Sequence, residues 1–289
     1  MGSALDDLID LLELEPLEVN LFRGLSPDED RQRVFGGQVA AQALTAAGRT
    51  VAPERPVHSL HAYFLRPGDP NVPIVYEVDR IRDGRSFTTR RVVAIQHGRA
   101  IFNLAASFQL VESGPEHHDP MPDVPDPETL PTWQERLEPY AERLGADMVD
   151  WLVREKPIDS RPTESLHLLD RRPRPPAQDI WIRANGTLPD DPMLHACVVA
   201  YASDLSLLDT ASLPHAIAYV DERFQIASLD HAMWFHRPFR ADEWLLYHQQ
   251  SPTASGARGF ATGEIFRRDG ALAVTVVQEG LIRPVPAGR

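Results

Sequence analysis

The chain has 289 residues, 43% of them hydrophobic and 25% charged, and a formal charge of −13. Such a supply of apolar side chains excludes wholesale disorder and allows one large domain or two ordinary ones. The acidity argues against nucleic-acid coating, which needs a basic footprint. A single cysteine, Cys197, rules out an intramolecular disulfide and a cysteine-rich metal site. It lies in the apolar run 196–202 and reads as a small core residue.

From the N-terminus, Leu5, Leu8, Ile9, Leu11 and Leu12 fall at helical spacing until Pro16. This predicts a short amphipathic helix; the segment is acidic and lacks the basic start of a signal peptide. No stretch approaches the roughly 18 apolar residues of a membrane span. Asp6 stands where a myristoylation site needs Ser or Thr. A cytoplasmic protein is the expectation. An alanine-rich helix is expected over 37–50. Strands follow at 57–66, 72–81, 86–96 and 100–110, read from β-branched and aromatic enrichment between turns at Arg66-Pro67-Gly68, Asp83-Gly84 and His97-Gly98. Residues 111–178 differ in character. Prolines crowd their start (115, 120, 122, 125, 127, 131) and their end (173, 175, 176), which predicts a linker with a helical insert over 132–154. Beyond it come a strand at 179–183, a helix over 191–208, and strands at 226–236, 243–250, 257–267 and 271–282. Asp269-Gly270 is a type I′ hairpin signal in the last pair.

Two stretches of this chain look alike. Val57-His-Ser-Leu-His-Ala-Tyr-Phe-Leu-Arg-Pro67 matches Ala227-Ser-Leu-Asp-His-Ala-Met-Trp-Phe-His-Arg-Pro238, with Arg66 and Arg237 offset by 171. Arg85-Ser-Phe-Thr-Thr89 matches Arg258-Gly-Phe-Ala-Thr262 at an offset of 173, and the turns at His97-Gly98 and Asp269-Gly270 are 172 apart. Near-constant spacing implies a tandem duplication. Each copy reads as one long helix followed by an antiparallel meander, an α+β layer. The expected division is 1–112, a connector at 113–178, and 179–289.

Few residues stand out as chemistry. Ser228, Asp230 and His231 suggest a hydrolase triad, but neighbours on a strand point to opposite faces, and no G-x-S-x-G elbow exists. His58 and His61 diverge on a strand, and no metal motif is present. Asp204 is more informative. It lies at the edge of the stripe formed by Leu194, Cys197, Val198, Tyr201, Leu205 and Leu208, where a carboxylate is partly desolvated and must be paired or used. The first helix has no counterpart acid. Gln278 ends the apolar face of Leu272, Val274 and Val276. Asp190 or Asp191 with Pro192 reads as a helix start.

The layout resembles the acyl-CoA thioesterase II (TesB-type) family, with its double hotdog fold. The resemblance runs from Leu21-Phe-Arg-Gly24 to Arg283. It is carried by Val34-Phe-Gly-Gly-Gln-Val-Ala-Ala-Gln-Ala43, Ser59-Leu-His-Ala-Tyr-Phe-Leu-Arg-Pro67, Leu188-Pro-Asp-Asp-Pro192, Tyr201-Ala-Ser-Asp204, Asp230-His-Ala-Met-Trp-Phe-His-Arg-Pro238 and Gln278-Glu-Gly280. It implies two repeats on one merged sheet and a hydrolase releasing fatty acid and CoA from fatty acyl-CoA, with no cofactor or metal. The implied catalytic trio is Asp204, Ser228 (where the family usually has Thr) and Gln278, acting on water without an acyl-enzyme. Gly36 and Gly37, opening the first helix, are candidate oxyanion donors. Arg66, Arg85, Arg237 and Arg258 sit near turns, and Arg258 is carried as the candidate substrate-binding arginine. The resemblance also implies a homo-oligomer, dimer or tetramer. Two alternatives stand beside it. One is a hotdog enoyl-CoA hydratase or dehydratase using Asp190 and His195, in which Pro192 is one place early and an Asn is missing. The other is a non-catalytic acyl-CoA-binding protein.

Overall fold

The computed structural model describes every residue except 1, 28–31, 141, 143–148, 150–151, 165–171, 219–220 and 287–289. The described strands are β1 (Glu15–Glu18), β2 (Leu21–Gly24), β3 (Val57–Phe64), β4 (Ile74–Asp83), β5 (Phe87–Gln96), β6 (Arg99–Gln109), β7 (Ile158–Pro162), β8 (Ala177–Ala184), β9 (Phe224–Ser228), β10 (Asp230–Phe235), β11 (Leu245–Ser255), β12 (Arg258–Arg267) and β13 (Leu272–Pro284). They form one sheet in the order β1-β2-β4-β5-β6-β3-β10-β13-β12-β11-β8-β7, and β9 pairs with β13. Read from either end, the order has the same connectivity. The two repeats are therefore half-sheets joined at β3 and β10, where Ala62 faces His231 and Leu60 faces Met233.

Two helices lie on the inner face, α2 (Gly36–Gly48) and α4 (Pro192–Ser203); α1 (Ala4–Leu12) packs beside α2. Helices α2 and α4 run antiparallel in close contact. Gly37 meets Tyr201 near one end, and Gly48 meets Met193 at the other. In between, the Thr45 hydroxyl donates to the Cys197 sulfur at 3.3 Å. Burial pushes the Cys197 thiol up to about 12, so it stays an unreactive core residue. One hydrophobic core runs through both halves, with Leu44, Leu60, Val92 and Leu104 from the first and Val198, Met233, Val274 and Val276 from the second. The stretch Pro192–His215 is long and apolar enough to cross a membrane, but it is mostly buried as this core helix and the turns after it.

Three local features differ from the sequence expectation. Strands β1, β2 and β7 were not expected. They are four or five residues long, and β1 and β7, at the two ends of the sheet, carry Pro16 and Pro162, which gives weak patterning and suits edge positions. Strand β7 lies within the stretch read as connector. Helix α4 stops at Ser203 rather than near 208, where the chain turns into a short 3-10 segment, Leu208–Ala211. The strand expected over 226–236 breaks at Leu229. Ala232 pairs with Val277 while Ser228 pairs with Gly280, so the rows on either side are out of step by one residue. That is a β-bulge, and it reverses which face the preceding residues occupy.

The connector wraps one edge of the second half-sheet. Met121, Val124 and Leu130 pack on an outer-face cluster of Trp181, Trp244, Leu246, Phe266 and Leu272. The chain then enters helix α3 (Trp133–Leu137), capped by Thr132. The rest of the helix expected over 132–154 falls largely outside the described residues.

Candidate active site

The chemistry-bearing residues converge where the start of α2 meets the end of α4. Asp204 is the C-cap of α4. Its own helix disfavours a negative charge there, but the N-terminus of α2 faces it and favours one. Three donors reach the carboxylate. Gln278 Nε2 donates to Oδ1 at 2.6 Å, and Ser228 Oγ donates to the same oxygen at 3.2 Å. The Gly37 backbone N–H is the third.

Each donor has a local cause. Gln278 belongs to the inward row of β13 with Val274 and Val276, and all three are fully buried. Ser228 points inward because of the Leu229 bulge; in unbroken alternation it would share the outer face with Asp230. Gly37 lies in the first turn of α2, where backbone N–H groups lack helical partners. Glycine is required at both positions. A Cβ at Gly36 would lie 2.6 Å from Asp204 Oδ2, and one at Gly37 would lie 2.5 Å from the Tyr201 carbonyl oxygen.

Burial pushes the Asp204 carboxyl up to about 6, against the opposing pull of its three hydrogen bonds. A carboxylate with that affinity accepts a proton readily yet is mostly ionised at neutral pH, the condition a general base needs. Gln278 Oε1 is buried with no hydrogen-bond partner, leaving an uncommitted acceptor beside the carboxylate. Sequence reasoning missed a second acid, Asp209, which is pushed up to about 7 by burial and then by the charge of Asp204. Its run, Leu207-Leu208-Asp209, gave no periodic signal.

The other candidates fall elsewhere. Arg258 is on the outer face of the sheet, its Nε 2.8 Å from Glu279, and is not brought to Asp204. Arg237 donates to the Leu272 carbonyl at 3.0 Å. Asp230 and His231 do point to opposite faces. Asp230 accepts from the Glu279 N–H at 2.7 Å, while buried His231 sits 2.8 Å from Ser203 Oγ. Asp190 pairs with Arg240 at 2.9 Å, and His195 accepts from the Ala241 N–H at 3.0 Å, so the two make no dyad.

The duplicated half shows what fills the related position. Ala261 pairs with Gln278 on β12 and β13, and the corresponding pair on β5 and β6 is Arg90 with Ala106. The long polar side chain has changed strand. Arg90 is 1% exposed and donates to the Thr50 hydroxyl at 2.8 Å, the Thr50 carbonyl at 3.0 Å and Asp83 at 2.6 Å. A cation beyond the end of α2 occupies the place that Asp204 and its donors hold beyond α4.

Comparison with known proteins shows which family the chain is similar to. Residues 153–281 match the acyl-CoA thioesterase family model, and residues 26–109 match the acyl-CoA thioesterase N-terminal domain. The chain is 46% identical to acyl-coenzyme A thioesterase 8 of Mus musculus, covering 96% of this chain and 88% of that protein. It is 41% identical to acyl-CoA thioesterase 2 of Haemophilus influenzae, covering 98% and 99%. The crystal structure of acyl-CoA thioesterase II TesB2 from Mycobacterium marinum is 45% identical, covers 98% of this chain and 99% of that one, and superposes with a TM-score of 0.78. A protein from Alicyclobacillus acidocaldarius described as having a hot dog fold shares the architecture at 21% identity and a TM-score of 0.77.

Proposed function

The chain belongs to the acyl-CoA thioesterase family and is a hydrolase of acyl-CoA thioesters with a double hotdog fold, and on that premise we propose that Asp204, Ser228 and Gln278 are its catalytic residues and fatty acyl-CoA its substrate. The observation that carries the assignment is the convergence of both side-chain donors on one oxygen of a partly buried carboxylate. Asp204 takes a proton from water as the water oxygen attacks the thioester carbonyl carbon. Gln278 and Ser228 fix the carboxylate, and Gln278 Oε1 is an acceptor for the water's other proton. The developing oxyanion lies at the N-terminus of α2, where Gly36 supplies a first-turn backbone N–H. Since Gly37 N–H is engaged by Asp204, its role is to hold the base rather than the oxyanion. The C–S bond then breaks, the acid is released, and the proton on Asp204 returns to the CoA sulfur.

Direct attack by water leaves no covalent intermediate. Single-turnover hydrolysis in ¹⁸O-water with an acyl-enzyme trap tests this: one labelled oxygen in the product and no acyl-Ser228 is the expected result. The exposed Tyr63 on central strand β3 supports a homo-oligomer, dimer or tetramer, formed through the outer face, which sedimentation would measure. The single buried free thiol fits a cytoplasmic location, testable by fractionation.

A further inference from the structure

A cavity of about 580 Å³ lies between the end of α4, strands β7 and β8, and the connector. Its size is that of a small-molecule site. One end is polar. Gln178, Ser206 and Asp209 line it, as does Phe35 next to Gly36; Gln178 lies across β11 and β12 from Val276, one inward position from Gln278, so this end adjoins the base. From there Gln178, Ile180 and Ile182 follow one another at two-residue spacing on the inner face of β8. The floor therefore becomes apolar with distance from Asp204. Tyr201 and Leu205 of the α4 end also line it. Tyr201 meets Phe35, the N-cap of α2, edge to face at 5.1 Å.

The roof comes from the connector. Trp133 and Leu152 both line the cavity, and the Trp133 indole N–H donates to the Leu152 carbonyl at 3.0 Å. Arg136 anchors this roof to the Pro162 and Glu164 carbonyls. The corresponding edge of the first half-sheet carries a more open recess lined by Glu13, Leu17, Val19 and Arg49, where β1 is exposed along its length. The connector roofs the cavity beside the half that holds the base.

We propose that this cavity receives the acyl chain, and that Ile182 on its floor and Leu152 in its roof set the chain length accepted. The proposal rests on Asp204 marking the reacting end. An alkyl chain entering past the polar end would lie along Ile180 and Ile182 under Trp133. Each methylene buried there raises kcat/KM by about fourfold until the cavity is filled.

The test is kcat/KM for CoA release from saturated acyl-CoAs of four to sixteen carbons, with wild type, Ile182→Trp and Leu152→Trp. The readout is the ratio of the twelve-carbon to the four-carbon substrate, which does not depend on how much protein is folded. Wild type should show the stepwise rise, and either tryptophan should lower the ratio at least tenfold. A flat wild-type profile, or an unchanged ratio in both variants, overturns the proposal. Leu152→Trp supplies the ratio if Ile182→Trp does not fold. The assignment of the base fails separately: it falls if Asp204→Asn turns over normally, whatever the chain-length profile.

Discussion

Gln278 Nε2 stands 2.6 Å from Asp204 Oδ1 although 74 residues separate the two in the chain. The hydrogen bond ties the last strand to the end of the second helix, and it fixes the amide so that Oε1 is left over. If Asp204 is the base, Asp204→Asn keeps the shape of this contact and removes the proton acceptor. We expect kcat to fall by at least about 10²-fold, the usual scale of general-base catalysis. Circular dichroism should show an unchanged fold. Wild-type turnover would remove Asp204 from the mechanism.

The same carboxylate sets the acid limb of the pH profile. Its affinity is raised to about 6 by burial, so the ionised, active form is lost as pH falls through that value. We expect kcat/KM to climb from pH 5 to pH 7 with an apparent pKa near 6, followed by thioester absorbance. A limb centred near 4 would mean that the base is a solvated carboxylate elsewhere.

Ser228 presents a different question, because the family usually has Thr there. Its Oγ donates to Asp204 Oδ1 at 3.2 Å, and a Thr hydroxyl can make the same bond with a stiffer χ1. Ser228→Ala should lower kcat about tenfold or more while leaving KM little changed, since the lost bond positions the base. Ser228→Thr should retain activity. Equal loss in both variants would show that the methyl is excluded and that the serine is a packing choice.

Much of this was legible beforehand, and the exceptions have physical causes. Asp204 and Gln278 were readable because the first borders, and the second ends, an apolar row. Ser228 was visible as a residue but not as an inward-facing one, because the one-residue slip at Leu229 is set by pairing with β13 and leaves no mark in local composition. Arg258 looked free beside its turn, and its cross-strand partner, Glu279, is visible only once β12 is paired with β13. Edge strands β1 and β7 were missed since four or five residues that include a proline and show no inward–outward alternation leave no signal. Asp209 was hidden because the short 3-10 segment that carries it is covered by β11, β12 and β13, all distant in sequence.

Asp209 also makes a stability prediction. Its affinity is raised above the ordinary carboxylate value to about 7 by burial and by Asp204. Such a group binds its proton more tightly in the folded state, so its contribution to stability is fully present below about pH 4 and is lost as pH rises through 7. Asp209→Asn removes that dependence. The variant should be more stable than wild type by about 1–3 kcal/mol at pH 8, less so at pH 5, and no more stable below about pH 4. Thermal melts across that range check it. A stabilisation independent of pH would place the effect in packing.

Arg90 tests what the duplicated half has become. Its guanidinium is buried, and it bonds the hydroxyl and carbonyl of Thr50 just beyond α2, the Arg82 and Thr89 carbonyls, and Asp83. Removing it leaves several acceptors without a donor and a space where a large side chain stood. Each unsatisfied buried group costs about 1–3 kcal/mol, and the cavity adds to that. Arg90→Met fills most of the space and isolates the polar loss, so we expect a destabilisation of about 2–4 kcal/mol by denaturant titration. The acyl-CoA turnover of whatever protein remains folded should match wild type, because Asp204 and its three donors do not touch Arg90. A variant that folds normally but loses turnover would mean that the two halves of the sheet are coupled through α2, whose first turn carries Gly36 and Gly37.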